Sequence, residues 1–149
     1  MYTLTKNFRF ESAHRLAKGY VGACSNIHGH SFTGHLALEI DGTDKHDMAV
    51  DYKDMGAFLK DIEKQLDHKV LLCDEDKELI DLCRKKGWEV VVFEDNPTSE
   101  TLAKYIFEQA EIYFAPIAKQ KALTGVRITK GSVTINETCT TSCTYTKNN

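Results

Sequence analysis

Two different hydrophobic periods divide this 149-residue chain, and they restrict its fold more than any other feature. Both ends alternate apolar and polar residues, as half-buried β-strands do, whereas the middle has the three-to-four spacing of amphipathic helices. The order is therefore two strands, then helices, then two strands. This order predicts an α+β fold with a small antiparallel four-stranded sheet and two main helices on one face.

The first two predicted strands carry three histidines at corresponding places. Residues 3–14 alternate, and His14 shares the face of the apolar residues before it. Residues 28–40 alternate in the same way, and His28 and His30 share a face with the apolar residues that follow them. In both strands, therefore, the histidines lie on the same face as the apolar residues.

The predicted helices lie between these strands and the C-terminal ones. A first long helix covers residues 51–66, and a shorter one covers residues 75–86 with Gly87 as its C-cap. Residues 88–94 read as a strand or an extended segment. A second long helix begins after Thr98, whose hydroxyl is a candidate N-cap.

Two further strands are predicted near the C-terminus, in "GVRITKGSVTINET" and "CTYT". Gly131 interrupts the alternation of the first, which indicates a bulge or turn there. A four-stranded sheet covered on one face leaves two open edges, and an open edge favours pairing with another chain. We therefore expect a homo-oligomer.

Composition excludes several classes of function. The net charge of −3 gives no reason to expect nucleic acid or an anionic membrane as a partner. The sequence has no apolar run long enough for a membrane span, and its first residues lack the apolar stretch expected of a signal peptide, so we expect a protein that is not exported. Five cysteines, an odd number, fit a reducing cytoplasm better than a disulfide framework. Without linkers or repeats, residues 1–149 are expected to form a single domain.

The histidine spacing predicts a metal site. His28 and His30 point the same way from one strand, and His14 is the best candidate for a third ligand. Three imidazoles leave one tetrahedral position of Zn²⁺ open, as catalytic zinc sites require. An isolated pair of this kind can also be explained by core packing, and this alternative stays open at the level of spacing.

Six short motifs occur in one order over nearly the whole chain, and together they resemble the 6-pyruvoyltetrahydropterin synthase and 6-carboxytetrahydropterin synthase family. They are "FESAHRL", "CSNIHGHSF", "VDYKDM", "LDHKVL", "NPTSETLAKYI" and "NETCTTSCTY". The C-terminal "ETCTTSC" and the C-x-x-x-H-G-H spacing are most similar to the bacterial 6-carboxytetrahydropterin synthases of queuosine biosynthesis. The segment 73–95 is longer than in the shortest of those enzymes, which indicates an extra helix and strand.

The resemblance implies a tunnelling fold, or T-fold, in which subunits join edge to edge into a barrel and trimers pair into hexamers with active sites at subunit interfaces. It also implies that the three histidines are the zinc ligands and that Cys24 is the catalytic base. His68 and Asp67 would be the relay partners of this thiol, and Glu137 would anchor the pterin. Sequence adjacency alone leaves open whether Asp67 contacts His68.

The start of the second long helix offers two further contacts. The hydroxyls of Thr98 and Ser99 could bind the pterin ring, although capping alone would explain both residues. The remaining cysteines have structural explanations, with Cys73 and Cys83 expected to pack in the interior or to lie in a mobile segment.

The implied reaction converts 7,8-dihydroneopterin triphosphate into 6-carboxy-5,6,7,8-tetrahydropterin, acetaldehyde and triphosphate, which is carbon–carbon lyase chemistry. Zinc would act as a Lewis acid, and a thiolate would move protons at carbon. One alternative is a 6-pyruvoyltetrahydropterin synthase, which eliminates triphosphate without breaking the carbon skeleton. Another is a non-catalytic zinc-binding assembly module in which a cysteine closes the metal shell. A metallohydrolase is disfavoured because no acidic base adjoins "HGHSF".

Overall fold

The structure is a computed structural model that describes residues 1–147. Over this range the chain forms six strands and three helices. The strands are β1 (Tyr2–His14), β2 (His28–Asp41), β3 (Lys69–Cys73), β4 (Val90–Phe93), β5 (Arg127–Thr138) and β6 (Thr141–Thr146). The helices are α1 (Tyr52–Leu66), α2 (Lys77–Lys86) and α3 (Ser99–Ala122).

All six strands form one sheet in the order β4-β3-β1-β2-β5-β6. The pairs β1–β2, β2–β5 and β5–β6 are antiparallel, so the predicted four-stranded antiparallel sheet is present. The predicted strand number is nevertheless too small, because β3, which was not predicted, and β4, which lies in the segment predicted as a strand or extended, both join the sheet with parallel pairing. These strands have five and four residues and form a crossover around α2, and such short apolar runs lack the alternation that marks the other strands.

The two long helices cover one face of the sheet, as predicted. The side chains of α1 and α3 that face the strands are buried in the main apolar core together with residues of β1, β2 and β5. Its largest fully buried side chains are Phe10, Phe32, Leu36, Ile40, Met55, Ile62, Leu66, Leu71, Leu102, Ile106 and Ile135. The third helix, α2, packs instead against Leu72 in a small second cluster with Ile80 and Cys83. Because Leu71 belongs to the main core and Leu72 to the second, α2 lies on the opposite face of the sheet.

The helix ends confirm the local predictions. The carboxylate of Asp51 accepts the backbone N–H of Lys53 at 2.8 Å, and the Thr98 hydroxyl accepts that of Thr101 at 3.3 Å. Gly87 ends α2 in the left-handed region with φ of 73°, where a residue with a side chain would be strained. Cys73 and Cys83 are buried, as the packing interpretation expects.

Strand β5 contains two irregularities. The register with β2 shifts so that Thr129 is an extra residue, two positions before the predicted irregularity at Gly131. The register with β6 shifts between Ile135 and Thr138, in the part of the strand that contains Glu137. Bulges of this kind change the direction of a side chain and are frequent beside active sites. Among residues 1–147, no helix is long and apolar enough to cross a membrane.

Candidate metal centre and active site

The three predicted ligands meet at one end of the β1–β2 ladder. His14 lies directly opposite His28, and His30 lies opposite Ser12, so the three imidazoles share the face that carries the main core. Their ring centroids are 4.5, 5.1 and 5.0 Å apart, and one ligand atom of each lies within 4.8 Å of the others. Phe32 packs edge-on against His14 and closes the apolar side of the cluster.

Two backbone carbonyls determine which ring nitrogens face the centre of the cluster. Nδ1 of His14 lies 2.8 Å from the carbonyl oxygen of Pro97, and Nδ1 of His28 lies 2.7 Å from that of Asn26. A carbonyl oxygen only accepts, so each Nδ1 carries a hydrogen, and in the neutral ring each Nε2 then presents its lone pair. This is the arrangement found in metal-binding histidines, whose second nitrogen is held by an outer partner.

The distance between the Nε2 atoms of His14 and His28 fits a shared divalent cation. Nε2 of His14 and Nε2 of His28 are 3.1 Å apart, and neither nitrogen has a hydrogen to share in this tautomer. Two nitrogens bound to one tetrahedral zinc ion at about 2.0–2.1 Å would be roughly 3.4 Å apart. Burial is the largest effect on the pKa of His14 and lowers it, which favours the neutral ring that a metal requires. The cluster could therefore hold a metal ion.

Glu137 lies beside this cluster. One of its carboxylate oxygens is 3.6 Å from Nε2 of His30, a buried atom for which residues 1–147 provide no hydrogen-bond partner. The other oxygen accepts a hydrogen bond from the Ser99 hydroxyl at 3.0 Å. The structure therefore brings together Glu137, Ser99 and the histidines, whereas the Thr98 hydroxyl is used as the N-cap of α3.

Cys24 occupies a one-turn 3₁₀ helix, Ala23–Ser25, in the loop that connects β1 and β2. This thiol is half-buried and free. Its backbone carbonyl accepts the N–H of Leu16 at 2.9 Å, two residues after the candidate ligand His14. The loop thus folds back on the segment that leaves the histidine cluster.

Asp67 contacts His68, which sequence adjacency had left open. One carboxylate oxygen of Asp67 lies 2.8 Å from Nδ1 of His68, and the other accepts the backbone N–H of Glu11 at 2.8 Å. The bond from Glu11 is the main cause, and the bond from His68 the next, of the lowered pKa of Asp67. An ionised Asp67 holds the hydrogen on Nδ1, so Nε2 of His68 is free to accept a proton.

His68 also has an unusual backbone and is widely exposed. Its φ is +56°, in the left-handed region, and 80% of its side chain is accessible. It lines a cleft of about 500 Å³ together with His30, Glu11, Ser31 and Lys69. Throughout the described range, His68 makes no hydrogen bond to Cys24 or to the three histidines. Within the described chain, the exposed Asp67–His68 pair and the histidine cluster are therefore not joined by a hydrogen bond, although His30 borders the same cleft as His68.

Sequence reasoning missed the carbonyl partners of the histidines. Pro97 and Asn26 act through backbone oxygens, which leave no signature in residue type. It also missed Glu11, which binds Asp67 through its main-chain N–H and accepts the N–H of His68 at 2.7 Å. The contacts of Glu11 become apparent only in the folded chain, where β1 lies beside the residues that follow α1.

The fold and this cluster define the chain as a T-fold protein with a candidate three-histidine metal centre. Among solved structures, an uncharacterized protein from Wolinella succinogenes superposes with a TM-score of 0.78 at 20% identity, covering 99% of this chain and 98% of that one. The 6-pyruvoyltetrahydropterin synthase of Plasmodium vivax superposes with a TM-score of 0.76 at 18% identity, again covering 99% and 98%. These likenesses concern the fold.

The family follows from the sequence comparisons. A family model described as 6-pyruvoyl tetrahydropterin synthase matches residues 3–148. The 6-carboxy-5,6,7,8-tetrahydropterin synthase of Rickettsia felis is 30% identical over an alignment of 112 residues, which covers 71% of this chain and 78% of that protein. The 6-carboxy-5,6,7,8-tetrahydropterin synthase of Synechocystis is 29% identical over an alignment of 150 residues, which covers 97% of this chain and 93% of that protein. The chain belongs to the 6-pyruvoyl tetrahydropterin synthase family.

Proposed function

We propose that the protein is a zinc-dependent 6-carboxy-5,6,7,8-tetrahydropterin synthase of the cytoplasm, which converts 7,8-dihydroneopterin triphosphate into 6-carboxytetrahydropterin, acetaldehyde and triphosphate. The product would enter queuosine, or 7-deazaguanine, biosynthesis. The observation that carries the proposal is that the Nε2 atoms of His14 and His28 lie 3.1 Å apart in a cluster of three imidazoles, since a metal ion shared by neutral rings makes that arrangement favourable. The names of the curated relatives support the carboxy reaction over the pyruvoyl one.

His14, His28 and His30 would hold the ion, and it would supply Lewis-acid polarisation of substrate oxygens. Glu137 would accept hydrogen bonds from the ring N–H and amino group of the pterin, because a carboxylate offers two acceptors side by side. Its bond from Ser99 fixes one of these oxygens in place. The pterin ring would thus lie next to His30.

Cys24 would remove and return protons at the carbons of the side chain. It can do so only as a thiolate, which nearby positive charge stabilises. His68, with Nδ1 held by Asp67, would exchange these protons through Nε2.

A second copy of the chain would have to supply His68 to this site, which makes an oligomer part of the proposal. The described sheet has open edges at β4, at β6 and along part of β1, and the proposal uses the last two. β3 pairs with β1 only over Ser12–His14, and Glu11 bonds Asp67 and His68 on the same side, so Tyr2–Phe10 has one unpaired side. The outer side of β6 is also open. We propose that these edges pair between copies to form the barrel of a trimer, and that trimers pair into a hexamer.

The test is incubation of the zinc-loaded protein with 7,8-dihydroneopterin triphosphate, followed by mass analysis of the pterin and an acetaldehyde assay. We expect the carboxy product and acetaldehyde in equal amounts. His28→Ala should abolish both, whereas His46→Ala, which alters an exposed loop histidine, should leave turnover intact.

Each other result selects a different function. A pyruvoyl product without acetaldehyde would identify a 6-pyruvoyltetrahydropterin synthase. Unchanged substrate, together with unfolding when the metal is removed, would identify the non-catalytic assembly module.

A further inference from the structure

Asn96 joins the loop that carries Cys24 to the segment that leads into α3. Its side-chain oxygen accepts the backbone N–H of Lys18 at 2.9 Å, and its side-chain NH₂ donates to the carbonyl oxygen of Lys18 at 2.8 Å. The amide thus pairs with both polar groups of one residue, as a neighbouring strand would. The connection spans 78 positions in sequence.

This amide lies in the middle of a continuous series of contacts between the thiol and the metal ligands. On one side, Leu16 donates its N–H to the carbonyl of Cys24 at 2.9 Å, two residues before Lys18. On the other side, the residue after Asn96 is Pro97, whose carbonyl holds Nδ1 of His14 at 2.8 Å. The same short segment therefore fixes a ligand ring and the loop of the thiol.

We propose that Asn96 is a positioning residue that sets the place of Cys24 relative to the metal ligands. The catalytic role of Cys24 in this inference rests on the proposed function. The two hydrogen bonds by which Asn96 fixes the loop do not depend on it. An amide carries a donor and an acceptor side by side, so it can pair with both the N–H and the carbonyl of one backbone residue. An aspartate would keep the bond from the Lys18 N–H and lose the other, placing a carboxylate oxygen against a carbonyl oxygen.

The charged side chain of Lys18 contributes much less than the Asn96 amide to fixing the Cys24 loop on this segment. Its ammonium contacts the carbonyl of Glu94 at 3.1 Å, Asp95 at 3.4 Å and Glu75 at 3.7 Å. The two carboxylates are 72% and 58% exposed, and exposed ion pairs contribute little to stability. Asp95→Asn is therefore a matched control, because it changes a neighbouring contact with the same lysine and leaves the amide pair intact.

The experiment compares zinc-loaded wild type with Asn96→Ala, Asn96→Asp and Asp95→Asn. Hydrogen–deuterium exchange of residues 15–26 reports the loop directly, with residues 52–66 of α1 as an internal reference. Loss of both hydrogen bonds in Asn96→Ala should accelerate exchange of the Leu16 amide roughly ten- to a hundredfold, with a smaller effect in Asn96→Asp. The reference helix and the Asp95→Asn variant should exchange as in wild type.

Turnover and metal content complete the test. We expect kcat of Asn96→Ala to fall about tenfold or more with KM within about twofold, since a displaced base slows chemistry more than binding. Zinc content should stay at the wild-type value. Wild-type exchange of Leu16 in Asn96→Ala would overturn the inference. Faster exchange with unchanged kcat would also overturn it, because the loop position would then not matter to the reaction.

Failure of the proposed function gives a different pattern. Wild type would then not convert the substrate, while the exchange measurement would still report whether Asn96 holds the loop.

Discussion

The left-handed backbone of His68 allows strain at the proposed site to be measured. A residue with a Cβ pays about 1–2 kcal/mol in this region relative to the right-handed one. Glycine escapes this cost but loses about 0.5–1 kcal/mol more backbone freedom on folding. Substituting His68 by glycine and by alanine removes the imidazole and its bond to Asp67 in both cases, so the two variants differ only in these two backbone costs.

We therefore expect His68→Gly to be more stable than His68→Ala by about 0.75 kcal/mol, the difference between the midpoints of the two costs. For a chain of this size, that free energy corresponds to a higher melting temperature by about 1–4 °C. Thermal unfolding of both zinc-loaded variants at one protein concentration measures it. Both variants should keep the metal and lose turnover, because neither can exchange a proton at position 68.

Two results would refute this reasoning. If His68→Ala melts at or above the temperature of His68→Gly, the backbone at this position is not strained in solution. If either variant keeps near-normal turnover, His68 is not the proton carrier, whatever its backbone costs.

Three other substitutions test separate parts of the site and fold. Cys24→Ala should keep wild-type zinc content by elemental analysis and lose turnover, and near-normal activity would remove the thiolate from the mechanism. Glu137→Gln should weaken pterin binding at least tenfold by fluorescence titration, because it replaces one acceptor oxygen by a donor; unchanged affinity would contradict the anchoring role. The hydrogen bond from Lys121 is the main cause that lowers the pKa of Asp44 to about 2 from 3.8. The ionised Asp44 carboxylate therefore contributes fully to stability above pH 4, and this contribution is lost as the pH falls toward 2. Asp44→Asn should make the free energy of unfolding less dependent on pH in this range. An unchanged pH dependence would contradict this prediction.

The parts of the fold that depend on local periodicity were predictable from the sequence. The alternation that aligned His14 with His28 and His30 described the observed face of the sheet. The caps at Thr98 and Gly87 also followed from residue type. In each case the neighbours within a few residues determine the structure.

Features that depend on contacts between distant segments were not predictable. Strand β3 is an interior strand of five residues, and its pairing with β1 is not visible in its own apolar run. The carbonyls that orient His14 and His28 are backbone groups, common to every residue type. The left-handed turn at His68 arises because this residue joins α1 to β3 while bound to Glu11.

The most direct test of the metal centre is X-ray absorption at the zinc edge of the purified protein without substrate. Three imidazole ligands with one position left for an oxygen predict nitrogen and oxygen neighbours at about 2.0–2.1 Å and no sulfur. His28→Ala should lose the bound ion. A sulfur neighbour at about 2.3 Å would contradict the account, because a cysteine would then close the position that the substrate needs.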